Sequence, residues 1–375
     1  MTLIKVKSRG TDNVSGRRNL IINGAMQVAQ RGDNTGITSG SQNFALDRFK
    51  MQLNDLGTWA MTQSTTVPSG EGFTNSLKLN CTAADTSVAA GSYFILQQVI
   101  EAKSLQHLGW GTSSAKNLTW SFWIRSTKTG VVSIEFQHQN SSGNYYTRSS
   151  TFTISASNTW EKKIITVPSN TAQDIENAPS DGLYLSFWFT AGTNWTGGTF
   201  KDNVYSTGAA ANTRVSSSVP NHADSTNNEI YLTGVQCEVA DSASDFEHRS
   251  FAEEQAACQR YFYRVGETGG VGHASGNNYA TGAYYTASDY RAFIDFPVTM
   301  RANPTITSST VTNAFRIIRA NGSDYPDSIA DAGGSALHGK HLYTNDDLGS
   351  ATAGDAGVLI AGGTSASFLN FDAEI

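Results

Sequence analysis

Apolar and polar side chains alternate along most of this chain. Between residues 19 and about 247, Leu77, Leu79 and Cys81 interleave with Ser76, Lys78 and Asn80, and Trp120, Phe122 and Ile124 with Ser121, Trp123 and Arg125. Val132, Ile134 and Phe136 interleave with Ser133, Glu135 and Gln137, and Leu183, Leu185, Phe187 and Phe189 with Tyr184, Ser186 and Trp188. A period of two is the signature of a strand with one buried face. Turn-rich pieces at 126–130, 140–144 and 179–182 separate the runs. Strands of this kind build antiparallel sheets wet on one side. Two such sheets must cover each other's apolar faces, so the pattern predicts an all-β chain whose first large unit is a jelly-roll-like β-sandwich.

The interruptions divide the chain. Residues 100–110 predict one or two helical turns across an end of the sandwich, closed by Gly109. Residues 195–228 form a long, poorly periodic stretch rich in Gly, Ser and Asn, and loops of that length inside a compact unit are often functional. Tyr231, Thr233, Val235, Cys237 and Val239 predict a half-buried strand. Ser250 and Glu253 then form a capping-box pattern that opens a short helix with Phe251, Cys258 and Phe262 on one side. That helix has too little apolar surface to stand alone, so it is expected at a domain seam. Beyond it, Ile294, Phe296 and Val298, then Phe315 and Ile317, then Ser367 to Ile375 alternate again, around a long loop at 320–356. The division is an N-terminal arm at 1–18, the jelly-roll sandwich at 19–247, a connecting helix at 248–262 and a smaller C-terminal β-sandwich tip domain at 263–375. No repeat of fixed period runs through the chain, which weighs against a propeller or a long β-helix.

Composition narrows the function. Of 375 residues, 39% are hydrophobic but only 15% charged, well under the globular norm of about 25%. Ser, Thr, Asn and Gly take the place of charge, and they suit strands and tight turns. A net charge of −6 without a basic run argues against nucleic acid as a partner. Cys81, Cys237 and Cys258 form no CxxC pair and sit among apolar neighbours, so they read as buried free thiols, consistent with assembly in a reducing cytoplasm. The first residues lack an apolar signal-peptide core, so exit from the cell is expected through lysis.

Several runs then carry a family resemblance. GRRNLIINGAMQVAQRG (16–32), ALDRF (45–49), SLKLNCTAADTSVAAGSY (76–93), LQHLGWGTSSAKNLTWSFWIRSTKTG (105–130), NTWEKKIITVP (158–168) and ADSTNNEIYLTGVQCEV (223–239) resemble, in order and spacing, virion structural proteins of podovirus-like marine and cyanobacterial tailed phages. The junction that follows, with FEHRS (246–250) and CQRYF (258–262), belongs to the same pattern; Cys237 stands where Leu is usual. FPVTMRANPTIT (296–307) and FLNFDAEI (368–375) are similar to the recurrent end of such proteins. The resemblance implies a tail fibre in the virion, usually a homotrimer. Its N-terminal part would mount on other tail or adaptor proteins, and its C-terminal tip would contact a host surface glycan or outer-membrane receptor. It brings no catalytic residues and no cofactor. A head, collar or neck appendage with a purely structural role is the alternative, and a polysaccharide-degrading tailspike a second.

Within that frame the candidate residues are few. Leu3, Ile4 and Val6 form a short alternating piece that needs a strand partner to be stable, and with Arg17 and Arg18 they are candidates for attachment to the virion. In the tip, Tyr279, Tyr284, Tyr285 and Tyr290 cluster in a polar segment, and His338 and His341 lie in a Gly-rich loop. These six are the candidate ligand contacts, with trimer packing as the other reading of the tyrosines. His338 and His341 with Asp346 and Asp347 have metal-ligand chemistry, but the loop setting favours solvated side chains, so no metal is assigned. Trp195, Tyr145 and Tyr146 in loops, and Trp123, Trp188 and Tyr184 on the wetter strand faces, are assigned to core or interface packing. Glu135, Asp202, Glu229 and Asp295 are carboxylates that nothing in the sequence pairs, and no nucleophile elbow, P-loop or HExxH appears. No enzyme is expected.

Overall fold

The computed structural model describes residues 18–207, 211–266, 278–334, 336–349, 351–362 and 367–375. The alternating runs form two antiparallel sheets. In the first, six strands lie in the order Asn34–Ile37, Thr58–Ser64, Ser76–Ala83, Glu229–Val239, Leu118–Ser126 and Glu161–Val167. In the second, seven strands lie in the order Tyr205–Thr207, Tyr145–Ile154, Gly130–Gln139, Asp181–Ala191, Tyr93–Glu101, Lys50–Asn54 and Gly40–Phe44. Neighbours in sequence are often apart in space, as jelly-roll connections require.

The inner faces meet through the apolar half of each alternation. Trp120 lies 4.5 Å from Phe187 between ring centroids, Phe122 lies 4.9 Å from Phe187, and Trp59 lies 4.3 Å from Phe94. Each of these rings is at most 1% exposed, and burying one contributes about 1.5–3 kcal/mol before cavity terms. The expected turns form a 3₁₀ helix at Ala102–Leu108, with Leu105 and Leu108 buried and Gly109 left-handed at φ 61°. They close one end of the sandwich.

The strand Glu229–Val239 departs from expectation. A simple alternation would put Tyr231, Thr233, Val235, Cys237 and Val239 on one face. Its pairing with Leu118–Ser126 instead shifts register between Thr233 and Gln236. Gly234 takes φ 61° there, and the extra residue switches parity. Ile230 and Leu232 face the core before the bulge, Val235 and Cys237 after it, and Tyr231 lies outside against Trp160.

The capping box folds as expected. The helix Phe251–Gln259 starts at Ser250, whose Oγ accepts from the Glu253 amide while the Glu253 carboxylate accepts from the Ser250 amide. Its buried side is Glu254 and Cys258, whereas Phe251 is 55% exposed. The expectation that Phe251 faces inward is corrected. Glu254 outranks it because its carboxylate accepts from the Asn23 amide and, at 3.1 Å, from Arg249. All three cysteines are buried and free, and burial pushes the thiols of Cys237 and Cys258 well above their ordinary range.

A second core lies beyond the helix. Three strands in the order Phe262–Gly266, Phe368–Asp372 and Thr305–Ser308 face a seven-stranded sheet ordered Gly322–Asp324, Phe315–Arg319, Ala356–Ala361, Asn278–Thr286, Asp289–Asp295, Gly339–Thr344 and Ala330–Asp331. The last strand is central, and its Leu369 and Phe371 are fully buried. The stretch expected as one loop at 320–356 contains three of these strands. Two are edge strands of two or three residues, too short and polar to leave a periodic trace.

Charged groups rather than a greasy seam join the two sandwiches. Arg31 pairs with Asp47 at 3.5 Å and with Asp372 at 3.1 Å, and Arg48 pairs with Glu374. Arg260 grips Glu101 at 2.8 Å, and the Tyr261 hydroxyl donates to the same carboxylate at 3.1 Å. Arg31 and Arg48 also stack on Phe262 and Tyr261, each 3.5 Å from the ring centroid. Burial pushes the Asp47 carboxyl up to about 6, although Arg31 opposes the shift.

Candidate functional site

The polar half of the alternation builds a cleft on the outer face of the first sandwich's seven-stranded sheet. Antiparallel register places Lys50, Gln97, Ser186 and Glu135 side by side on four adjacent strands. The next row along the strands is Gln52, Ile95, Trp188 and Ser133. Residues directly opposite lie about 5 Å apart, within side-chain reach. Gln52 Nε2 accordingly donates to Gln97 Oε1 at 2.9 Å, and Gln97 Nε2 donates to Ser186 Oγ at 2.7 Å. The ladder fixes each amide in one orientation on the floor.

Aromatic rings wall the cleft at both ends. Trp195, delivered by the short helix Thr193–Thr196, lies 5.3 Å from Trp188 and 5.9 Å edge-on to Tyr93. Arg214, also from the long 195–228 stretch, stands 5.6 Å from both indole rings. Its Nε donates to Glu135 Oε2 at 2.6 Å and its Nη2 donates to Oε1. Burial works against the Arg214 charge, yet Glu135 holds its pKa above the ordinary arginine value. At the other end Tyr145, 41% exposed, packs edge-on to Tyr184, and the Tyr184 hydroxyl donates to Asp181. Burial and then that bond push the phenol far above its ordinary range. Lys50 completes this end, its Nζ donating to the Ile375 carbonyl at 2.9 Å.

The cleft is open to solvent and offers about 570 Å³, within the range for small-ligand sites. Chemically it offers the half-exposed indole of Trp195, backed by the buried Trp188, and phenol faces beside fixed amides, a hydroxyl and carboxylates. Polyhydroxylated rings fit such a surface, because their C–H faces lie on aromatic rings while hydroxyls exchange hydrogen bonds with amides and acids.

The expected tip residues lie elsewhere, and most are inside. Tyr279, Tyr284 and Tyr290 are 7%, 1% and 1% exposed. Tyr284 and Tyr290 oppose each other across a hairpin, with ring centroids 5.2 Å apart, on its core side. Their hydroxyls donate to Asp324 and to the Gly357 carbonyl, and that of Tyr279 to the Ser367 carbonyl. Parity puts Tyr285 on the opposite side, 66% exposed with Arg291 4.2 Å above its ring. His338 is exposed beside Thr299, and His341 is exposed beside Phe293. The six candidates therefore do not form one site: three are buried, whereas Tyr285 and His341 lie on the outer face of the seven-stranded sheet, beside Arg291 and Phe293. Among the described residues no group of three His, Cys, Asp or Glu side chains is placed to hold a metal.

Leu3, Ile4, Val6 and Arg17 lie outside the described residues. Arg18 is held within the chain, its amide donating to Glu247 at 3.0 Å and its guanidinium to Ser244 at 2.9 Å. Among the carboxylates weighed from sequence, Glu229 pairs with Lys78 at 2.7 Å, Asp295 and Asp202 are exposed, and Glu135 alone lies in the cleft.

The chain matches no sequence-family model and no curated protein. Solved structures with a similar arrangement include the enzymatically active domain of tailspike protein 4 of bacteriophage CBA120, at 15% identity and TM-score 0.31. That likeness covers 59% of this chain and 21% of the tailspike chain. A sugar-binding protein of Bacteroides thetaiotaomicron, its description provisional, has 12% identity and TM-score 0.31, over 60% of this chain and 100% of its own. The family 22 carbohydrate binding module of Clostridium thermocellum Xyn10B has 11% identity and TM-score 0.30, over 56% and 98%. These likenesses are distant, and the functional reading rests on the cleft.

Proposed function

We propose that this chain is a virion structural protein of a tailed phage that binds a surface glycan, without cleaving it, in the outer-face cleft of its first sandwich. The observation that carries the reading is the conjunction of Trp195, Trp188 and Tyr93 with the Gln52–Gln97–Ser186 ladder. The virion setting rests on the sequence resemblance, which also supports a homotrimeric tail fibre as the station. Three clefts per fibre, and several fibres per particle, would turn weak single-site binding into firm attachment through effective concentration.

A non-enzymatic role is favoured because both cleft carboxylates are committed, Glu135 to a bidentate arginine and Asp181 to the Tyr184 hydroxyl. Neither arrangement leaves a free acid and a free base across a glycosidic bond. The test is a glycan array probed with the full chain and with Trp195→Ala. Binding that falls at least tenfold in the variant supports the cleft. Glycan binding unchanged in Trp195→Ala would sink it, and a falling molecular weight of the bound polysaccharide would sink the non-enzymatic part.

A further inference from the structure

Among the described residues, four charged side chains line the cleft, and all of them are matched within the chain. Arg214 holds Glu135 through two nitrogens, and Asp181 accepts from the Tyr184 hydroxyl. The Lys50 ammonium donates to a main-chain oxygen of Ile375 at 2.9 Å, and Asp181 and Glu374 both attract it. A carboxylate or sulfate entering here would lose its water beside Glu135 and Asp181 and find both cations already held. An entering ammonium would meet Lys50 and Arg214 with both acids engaged. The groups left for a ligand are uncharged. They are the half-buried amides of Gln52 and Gln137, the Gln97–Ser186 floor between them, and the rings of Trp195 and Tyr145.

We propose that the ligand is a segment of an uncharged polysaccharide laid lengthwise along the strand Asp181–Ala191, with one sugar on Trp195 and another on Tyr145. The inference rests on the glycan reading and names the ligand class within it. Spacing sets the length. Tyr184 and Trp188 stand four residues apart on a run paired without a break to Gly130–Gln139, which is about 13 Å. Tyr145, 41% exposed, packs on Tyr184 at one end, and the half-exposed Trp195 packs on the buried Trp188 at the other. One sugar ring cannot reach both. Between the rings the polar groups follow the same axis. Gln137 lies directly across from Tyr184, Gln97 and Ser186 lie in the middle row, and Gln52 lies in the row of Trp188. Each amide has N–H donors and a carbonyl acceptor, so successive sugars can place hydroxyls on successive rows.

The test is an array of neutral glucan, galactan and mannan oligosaccharides graded in length from a single sugar upward, each beside its counterpart oxidised to a carboxylate at C6. It is probed with the full chain, Trp195→Ala and Tyr145→Ala, each checked by thermal melting. Affinity for a neutral series should rise at least tenfold from one sugar to roughly three, the length that about 13 Å admits, and then level off. The oxidised members should bind at least tenfold more weakly. Each variant should lose the gain with length, because one ring remains for one sugar. A single sugar bound as tightly as the longer chains, a preference for the oxidised members, or a gain with length that survives Tyr145→Ala overturns the proposal. Length-independent binding that still needs Trp195 leaves the cleft reading standing and removes only the lengthwise placement. Binding indifferent to both rings removes the cleft itself, and no binding to any member overturns the ligand class.

Discussion

Arg214 holds Glu135 through two nitrogens, with Nε 2.6 Å from Oε2 and Nη2 on Oε1. The carboxylate is almost wholly buried, its side chain 2% exposed against 21% for the arginine. Arg214→Ala therefore strands a buried charge and should cost about 3 kcal/mol. Replacing both partners, Arg214→Met with Glu135→Leu, should recover most of that loss, because no charge is left without its partner. Urea unfolding of the two variants checks this. A double variant as unstable as the single one would show that the pair matters by shape rather than by charge.

Gly234 shows where alternation misled. The periodicity of Trp120–Ile124 and Leu183–Phe189 survives folding, because in Asp181–Ala191 the register shifts fall at the ends of the run, between Asp181 and Leu183 and between Trp188 and Thr190. In Glu229–Val239 one left-handed glycine inserts a residue, and nothing in the spacing of apolar side chains marks it. A Cβ there would lie 2.6 Å from Phe73 and 3.1 Å from Trp123. Gly234→Ala should cost about 2 kcal/mol or more, from backbone strain and the clash together. An unchanged midpoint of thermal unfolding would contradict the account.

The cleft was legible in part. Trp188 and Tyr184 are on the polar side of their strand in the sequence, and the 195–228 stretch that supplies Trp195 and Arg214 stands out by its length. The packing assignment holds for Trp188 and Tyr146, which are buried, while the polar row of Lys50, Gln52, Gln97 and Ser186 beside them meets only through long-range register and left no local trace. In the second sandwich the reverse occurred. Tyr284 and Tyr290 sit in a polar segment, yet the hairpin between them puts both rings on the core side and gives each hydroxyl a buried acceptor. Local polarity reports the neighbours in sequence, whereas strand parity decides which side is wet.

Two buried imidazoles make stability depend on pH. Burial holds His138, enclosed by Trp110 and Tyr146, at about 4, and holds His222 at about 4 as well. The unfolded chain takes these protons near pH 6.5. Stability from both is therefore complete above that value and is lost as pH falls toward 4, by about 3 kcal/mol for each group. Asp47 acts oppositely, since its carboxyl, raised to about 6, binds its proton in the folded chain first. That group adds stability as pH falls from about 6 toward 4, and the histidines prevail two to one. Denaturant unfolding at pH 7 and pH 5 should show a less stable protein at pH 5. His138→Leu should flatten the difference and Asp47→Asn should enlarge it. A flat profile in the unaltered chain would remove the argument.

Arg48 and Glu374 couple the seam to the cleft. Both are buried, with side chains 2% and 5% exposed, and Glu374 also meets Arg31 at 3.5 Å. Two residues along the same strand direction, Lys50 takes the carbonyl of Ile375, the next residue after Glu374. Glu374→Gln removes the counter-charge from two arginines at once. It should cost about 3 kcal/mol, concentrated where the sandwiches meet. Calorimetry should then resolve two transitions where the unaltered chain gives one, because each sandwich keeps its own core. Glycan affinity should fall together with that uncoupling, since the wall of the cleft formed by Ile375 is carried by the second sandwich. A single transition at lower temperature with unchanged glycan affinity would mean that Glu374 stabilises the whole chain without positioning the Lys50 end of the cleft.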